Sequence, residues 1–217
     1  MPETAAGLGK VEIVRMEKGD AREVARLFKA EMPWSVFSKM GVRFNARFIR
    51  WMQEQDHTEV WVAKNSQGDI LGISCGTLDK PRIYKNVVKQ HFLRLWLSTL
   101  LNLWRSGVIA WLLRAAGERI RPQKPIPRSA PRPAAEWIFL TTVEAARGKG
   151  LAHRFHDRMV ADFREWGLKG PYVVLPLASN KQAQAFHKKH GARFIAEVPT
   201  RGHLIYEYHK DLPPDGQ

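Results

Sequence analysis

Between Leu140 and Ala152 the chain reads Leu-Thr-Thr-Val-Glu-Ala-Ala-Arg-Gly-Lys-Gly-Leu-Ala, a β-rich run that passes through Gly148 and Gly150 into a helical pattern. Glycines let backbone N–H groups converge without Cβ obstruction, and the first amides of a helix carry positive potential. Such a turn can hold a pyrophosphate, and Lys149 adds a cation beside it. The Gly-x-x-x-x-Gly-Lys-Ser/Thr spacing of triphosphate-binding loops is missing, as is the Gly-x-Gly-x-x-Gly of dinucleotide folds. Nucleotide hydrolysis and hydride transfer therefore lose support. The bland alternative is a glycine turn that only joins a strand to a helix.

A second block lies downstream: Asn180, Ala183, Phe186, His187, Gly191 and Ala192. Together with Arg147-Gly148-Lys149-Gly150-Leu151-Ala152, it resembles the GNAT superfamily of acyl-CoA-dependent N-acyltransferases. The family signatures are Arg/Gln-x-x-Gly-x-Gly/Ala and Asn-x-x-Ala-x-x-(apolar)-Tyr-x-x-x-Gly-Phe. The resemblance runs from Glu12 to Tyr208 and leaves out about 80–135. It implies an α/β GNAT fold, in which a mixed central sheet of about seven strands is flanked by helices. It also implies acetyl-CoA or another acyl-CoA as co-substrate. The backbone of Leu140, Thr141 and Thr142 would pair with the pantetheine arm as an added strand does. Arg147, Gly148, Lys149, Gly150, Leu151 and Ala152 would hold the pyrophosphate, with Asn180 and Phe186 lining the thioester end.

Acylation of an amine needs a route for the amine's proton, because an amine with a pKa near 10 is mostly protonated at pH 7. Glu136, eleven residues before Arg147, stands where some members of the family carry a general base. Burial beside Trp137 would raise its carboxyl toward a useful range, and the alternative is a solvated glutamate at a strand end. The family's usual tyrosine acid is replaced by His187, which can donate a proton near neutrality; its alternative is a helix-surface imidazole beside Lys188 and Lys189. If neither acts, positioning alone carries the reaction. The pairs His153/His156 and His187/His190 have no accompanying carboxylate–histidine motif, so no metal is expected.

Elements must position these groups. Glu12–Met16 reads as a strand, and Ala21–Glu31 as an amphipathic helix with Asp20 as its N-cap; Asn45–Gln55 reads as a second helix. Glu59–Lys64 and Ile70–Leu78 form a hairpin around Asn65–Asp69. Trp137–Val143 is a strand, Leu151–Trp166 a helix, Tyr172–Leu177 a strand and Lys181–His190 a helix closed by Gly191. Arg193–Val198 and Leu204–Tyr208 make a last antiparallel pair. Between the third and fourth strands, 80–135 is a helical and proline-rich insertion whose prolines from Pro122 to Pro133 exclude a regular element.

The chain of 217 residues reads as one domain, 1–217, of ordinary globular composition. One cysteine, Cys75, excludes a disulfide framework within the chain, and the N-terminal residues lack a secretory pattern. A cytoplasmic protein is expected. The net charge of +14 is concentrated in 80–135, which holds 12 basic residues and one acid. Within it, 92–116 is rich in leucine and tryptophan but broken by Arg94, Arg105 and Arg114, so it does not read as a spanning helix. Its apolar face has three possible burials: against the protein's own core or a second copy as a homodimer, over the acceptor site as a lid, or on a membrane surface. The expected acceptor is a small, sugar-linked or lipid-linked primary amine, and the cations would suit an anionic one. Acylation of a protein lysine or aminoacyl-tRNA, and a non-catalytic acyl-CoA-binding membrane-surface module, are the alternatives. No nucleic-acid-binding module is recognised.

Overall fold

In the computed structural model, residues 10–102, 126–200 and 203–213 are described. The elements are β1 (Val11–Arg15), α1 (Ala21–Glu31), α2 (Val36–Met40), α3 (Val42–Gln53), β2 (Thr58–Asn65), β3 (Ile70–Thr77) and α4 (Lys80–Asn102). They continue with β4 (Glu136–Thr142), a 3-10 turn (Glu144–Ala146), α5 (Leu151–Glu165), β5 (Tyr172–Val174), α6 (Lys181–Lys189), β6 (Arg193–Thr200) and β7 (His203–Lys210). The seven strands form one sheet in the order β1-β2-β3-β4-β5-β7-β6. Every adjacent pair is antiparallel except β4 and β5.

The elements arise where local chemistry favours them, with three corrections to the sequence reading. Asp20 does not cap α1: its carboxylate accepts from Glu17 N–H at 2.9 Å and pairs with Lys64 at 2.7 Å. A short helix, α2, was not foreseen; Ser35 Oγ caps it by accepting from Phe37 N–H at 3.3 Å. The third is β5, which stops at Val174 rather than Leu177, because Pro176 has no N–H to give a ladder.

The insertion begins as a helix. Asp79 caps α4, its carboxylate accepting from Arg82 N–H at 3.0 Å, and Pro81 sits in the first turn where no donor is needed. The helix kinks at His91, whose ring stacks on Trp51 with centroids 4.0 Å apart. The side chains of 92–102 and all of 103–125 lie outside the described residues, and with them the lid, dimer and membrane readings of 92–116. Among the described residues no helix is long and apolar enough to cross a membrane.

Two cores sandwich the sheet. On one face Val60, Val62, Ile73 and Cys75 pack against Val24, Phe28, Phe48 and Met52 of α1 and α3. On the other, Trp61, Trp137, Tyr172 and Tyr208 meet Leu151, Phe155, Met159 and Phe163 of α5. Each large side chain buried this way contributes about 1.5–3 kcal/mol. At Gly76 a Cβ would lie 2.1 Å from Met159 Sδ, so the glycine is what lets α5 sit close on β3.

Candidate functional site

The site is built where β4 and β5 part. Glu136 pairs with Val173 and Trp137 with Val174, and there the parallel ladder ends. Beyond it β4 stays with β3 as far as Thr142. The chain after β5 stays instead with β7, through Tyr206 N–H to the Pro176 carbonyl at 3.0 Å, a Leu177–Ile205 bridge and Ala178 N–H to the Leu204 carbonyl at 2.8 Å. A notch therefore opens between the two arms, and among the described residues the β5-facing edge of β4 from Ile138 to Thr142 has no strand on it.

A β-bulge marks the parting. Phe139 lies opposite Cys75 and Trp137 opposite Gly76, so Ile138 has no partner on β3. Ile138 and Phe139 both pack against the α1 side, Phe139 edge-on to Phe28 at 5.3 Å, while Trp137 and Leu140 belong to the α5 side. An extra residue of this kind re-aims the backbone and strengthens local twist. Leu140, Thr141 and Thr142 thus form the open edge on which an extended ligand could add as a strand.

At the same end of the sheet the glycine turn enters α5. Gly148 has φ +73° and Gly150 φ +80°, and a Cβ at either would meet nothing within 4 Å. Open space lies over the turn. No side chain caps α5, and the N–H groups from Gly148 to Ala152 donate to no group among the described residues. That is the donor set an anionic pyrophosphate requires. Arg147 is turned elsewhere: its guanidinium pairs with Glu31 at the end of α1.

The second block forms α6. Asn180 is its N-cap, the side-chain oxygen accepting from Ala183 N–H at 2.9 Å. Phe186 stands edge-on to Trp137 at 6.4 Å, which brings it to the base of the notch. His187 does not lie on the helix surface beside Lys188 and Lys189. It is buried, edge-on to Trp137 at 5.7 Å, and among the described residues its Nδ1 has no partner. Burial, with the charges of Lys210, His156 and His190, pushes its pKa down to about 3, so the ring is neutral near pH 7.

Glu136 is not a solvated strand-end glutamate either. Its side chain is 3% exposed, and its two oxygens are taken by Lys80 and by Arg132, the latter at 2.7 Å. Reading the sequence missed Glu207 and His209. On β7, the carboxylate of Glu207 is fully buried and accepts from His209 Nε2 at 2.9 Å and Arg128 Nε at 3.0 Å. Burial works to raise its pKa, and these two bonds, together with the charges of Arg132 and Arg128, outweigh it and hold it below the ordinary range. The only trace in the sequence is the alternation Tyr206-Glu207-Tyr208-His209-Lys210, in which charged residues interrupt a strand. Behind the site Lys210, its pKa lowered to about 8 by burial, donates to His156 Nε2. Among the described residues no three His, Cys, Asp or Glu side chains gather as a metal site.

A mixed seven-stranded sheet parted between its two parallel strands, with a glycine turn leading into a helix beside the gap, is the GNAT architecture. Solved structures share it across nearly the whole chain. An acetyltransferase of the GNAT family from Streptococcus pneumoniae matches with TM-score 0.57 and 14% identity over 92% of this chain and 98% of its own. An N-acetyltransferase from Staphylococcus aureus Mu50 matches with TM-score 0.57 and 13% identity over 94% and 99%. A Salmonella typhimurium protein described as an acetyltransferase, determined with its cofactor acetyl-CoA, matches with TM-score 0.58 and 14% identity over 95% and 96%. No protein-family model matches the chain, and no curated protein sequence does at a significant level. The chain has the GNAT fold.

Proposed function

We propose that the protein transfers an acyl group, most simply acetyl, from acyl-CoA to a primary amine. The observation that carries this reading is the notch itself: a β4 edge that, among the described residues, is unpaired and ends in a turn of undonated N–H groups. An acyl-CoA has the matching parts, an extended amide-bearing arm and a pyrophosphate, and it supplies an activated thioester. Leu140, Thr141 and Thr142 would take the arm along the open edge. Gly148, Lys149, Gly150, Leu151 and Ala152 would hold the pyrophosphate, with Arg147 fixing the turn to α1 through Glu31. Where the bulge takes Ile138 out of register with β3, backbone N–H groups of β4 would polarise the thioester carbonyl.

In the transfer the amine nitrogen bonds to the acyl carbon, the carbon–sulfur bond breaks, and the proton lost by nitrogen goes to sulfur. With a pKa of about 3, His187 has no imidazolium proton to give near neutrality. Its role is that of a neutral ring packed on Trp137 at the thioester end, with Phe186 beside it. Glu136 can take an amine's proton only by exchanging one of its two cations, and positioning in the notch carries most of the rate. Asn180 serves through α6, which it caps. The acceptor we propose is a small primary amine that meets the thioester in the notch.

Calorimetric titration with acetyl-CoA tests the reading. Native protein should bind, and Gly150→Glu should lose at least tenfold in affinity, since a carboxylate at this position occupies the open space and repels phosphate. A folded native protein that does not bind acetyl-CoA overturns it.

A further inference from the structure

Where α5, the end of α6 and the end of β7 meet, the protein holds a cavity of about 560 Å³. Sites for small molecules occupy roughly 300–1,000 Å³. No residue given to acyl-CoA lines it. Its place follows from the register of β7. Lys210, the last residue of the strand, is opposite Tyr172 and so lies on the sheet face that α5 covers. Beyond it Asp211, Leu212 and Pro213 run along the cavity, and Arg164 of α5 holds them there by donating to the Pro213 carbonyl at 2.5 Å.

Hydrogen bonds account for the imidazoles and carboxylates of the walls. The Phe186 carbonyl can only accept, so His190 Nδ1 donates to it at 2.8 Å, and His190 Nε2 then accepts from His153 Nδ1 at 3.1 Å. Asp211 pairs with Arg193 at 2.9 Å. His156 Nδ1 donates to Asp157 at 3.1 Å, which leaves its Nε2 to accept from Lys210. Lys210 is the exception. It is 2% exposed, and an ammonium has three N–H bonds to place. One goes to His156; among the described residues no carboxylate meets the ammonium and no oxygen or nitrogen accepts the other two. The Tyr172 ring offers only its face, 6.0 Å away, and Asp157 acts on the charge from the rim, its side chain mostly in solvent. Burial lowers the pKa of Lys210 to about 8, still above neutrality, so a charge without an anion stands in this wall.

We infer that the cavity binds a small organic acid with an apolar body, whose carboxylate accepts the two remaining N–H bonds of Lys210 and whose hydrocarbon lies on Val160, Leu212 and Pro213. The carboxylate is acceptor-only and carries one charge, which matches one ammonium through charge-assisted bonds. Val160, itself buried, makes with Leu212 and Pro213 the apolar side of the cavity. A bare inorganic anion would leave that side uncovered, and His156 and His190 have committed their protons and add no donor for it. The site is separate from the notch and does not depend on the acyl-transfer reading.

The test is calorimetry on the full chain with sodium octanoate, acetate, inorganic phosphate and octylamine. Octanoate should bind at least tenfold tighter than acetate or phosphate, and octylamine should not bind. Lys210→Met removes the buried charge and keeps an unbranched side chain; it should fold and weaken octanoate binding at least tenfold. Should it not fold, Val160→Phe decides, because it fills the cavity from the opposite wall and should cause the same loss. Octanoate that binds no tighter than acetate, phosphate or octylamine, or that binds the deciding variant as it binds native protein, overturns the inference.

Discussion

The indole Nε1 of Trp137 donates to Ser74 Oγ at 2.7 Å, tying β4 to β3 at the last residue before β4 and β5 part. Both residues are buried, Ser74 completely. The bond fixes the strand on one side of the notch while Val174 ends the ladder on the other. It also places the indole face where Phe186 and His187 pack on it.

Trp137→Phe removes the donor and leaves Ser74 Oγ buried without a partner, a loss of about 1–3 kcal/mol. The expected result is a lower urea midpoint together with weaker acetyl-CoA binding. Unchanged binding in a variant of lowered stability would show that the bond serves the core and not the notch.

Gly76→Ala should cost about 1–3 kcal/mol, because its Cβ would stand 2.1 Å from Met159 Sδ and 2.9 Å from Met159 Cε. Met159 is fully buried and has little room to move. Combining Gly76→Ala with Met159→Ala should recover part of the loss, and chemical denaturation of the two variants measures it. Full additivity of the two losses would contradict the contact.

Acid should destabilise the protein through its buried histidines, an effect partly offset by Asp162, whose carboxyl burial raises to about 6. Unfolded histidines take up protons as the pH falls below about 6.5, whereas in the folded protein His156 waits until about 4 and His187 until about 3. Between those limits the unfolded chain binds more protons, so stability falls as the pH drops through that window. Each unit of separation is worth roughly 1.4 kcal/mol. Comparing urea midpoints at pH 7.5 and 5.0 measures the loss, and His187→Phe should shrink it. An equal loss in native protein and variant would mean that His187 is not the group responsible.

What could be read from the sequence was local. The glycine turn, α5 and the β2–β3 hairpin announce themselves within a dozen residues, through turn glycines and hydrophobic period. α6 was equally plain, but its buried face was not: Gln184 and His187 are buried, and a polar residue on an inward face breaks the pattern that marks burial. Lysines beside His187 pointed the other way. Ser74, the partner of Trp137, and Arg128, one of the two partners of Glu207, lie 63 and 79 residues away in the chain, and no spacing rule reports such pairs.

Ile138 carries a different kind of information. The bulge needs one residue more on β4 than on β3, and nothing in the contacts asks that it be isoleucine. Another apolar side chain there would keep the gap. A chain one residue shorter at that point would return β4 to strict alternation, with Phe139 still toward α1 and Leu140 toward α5 but every residue of β4 paired with β3 and the bulge gone. The shape of the cleft is thus written in the length of a strand, and it would survive extensive drift in composition while yielding to a single deletion.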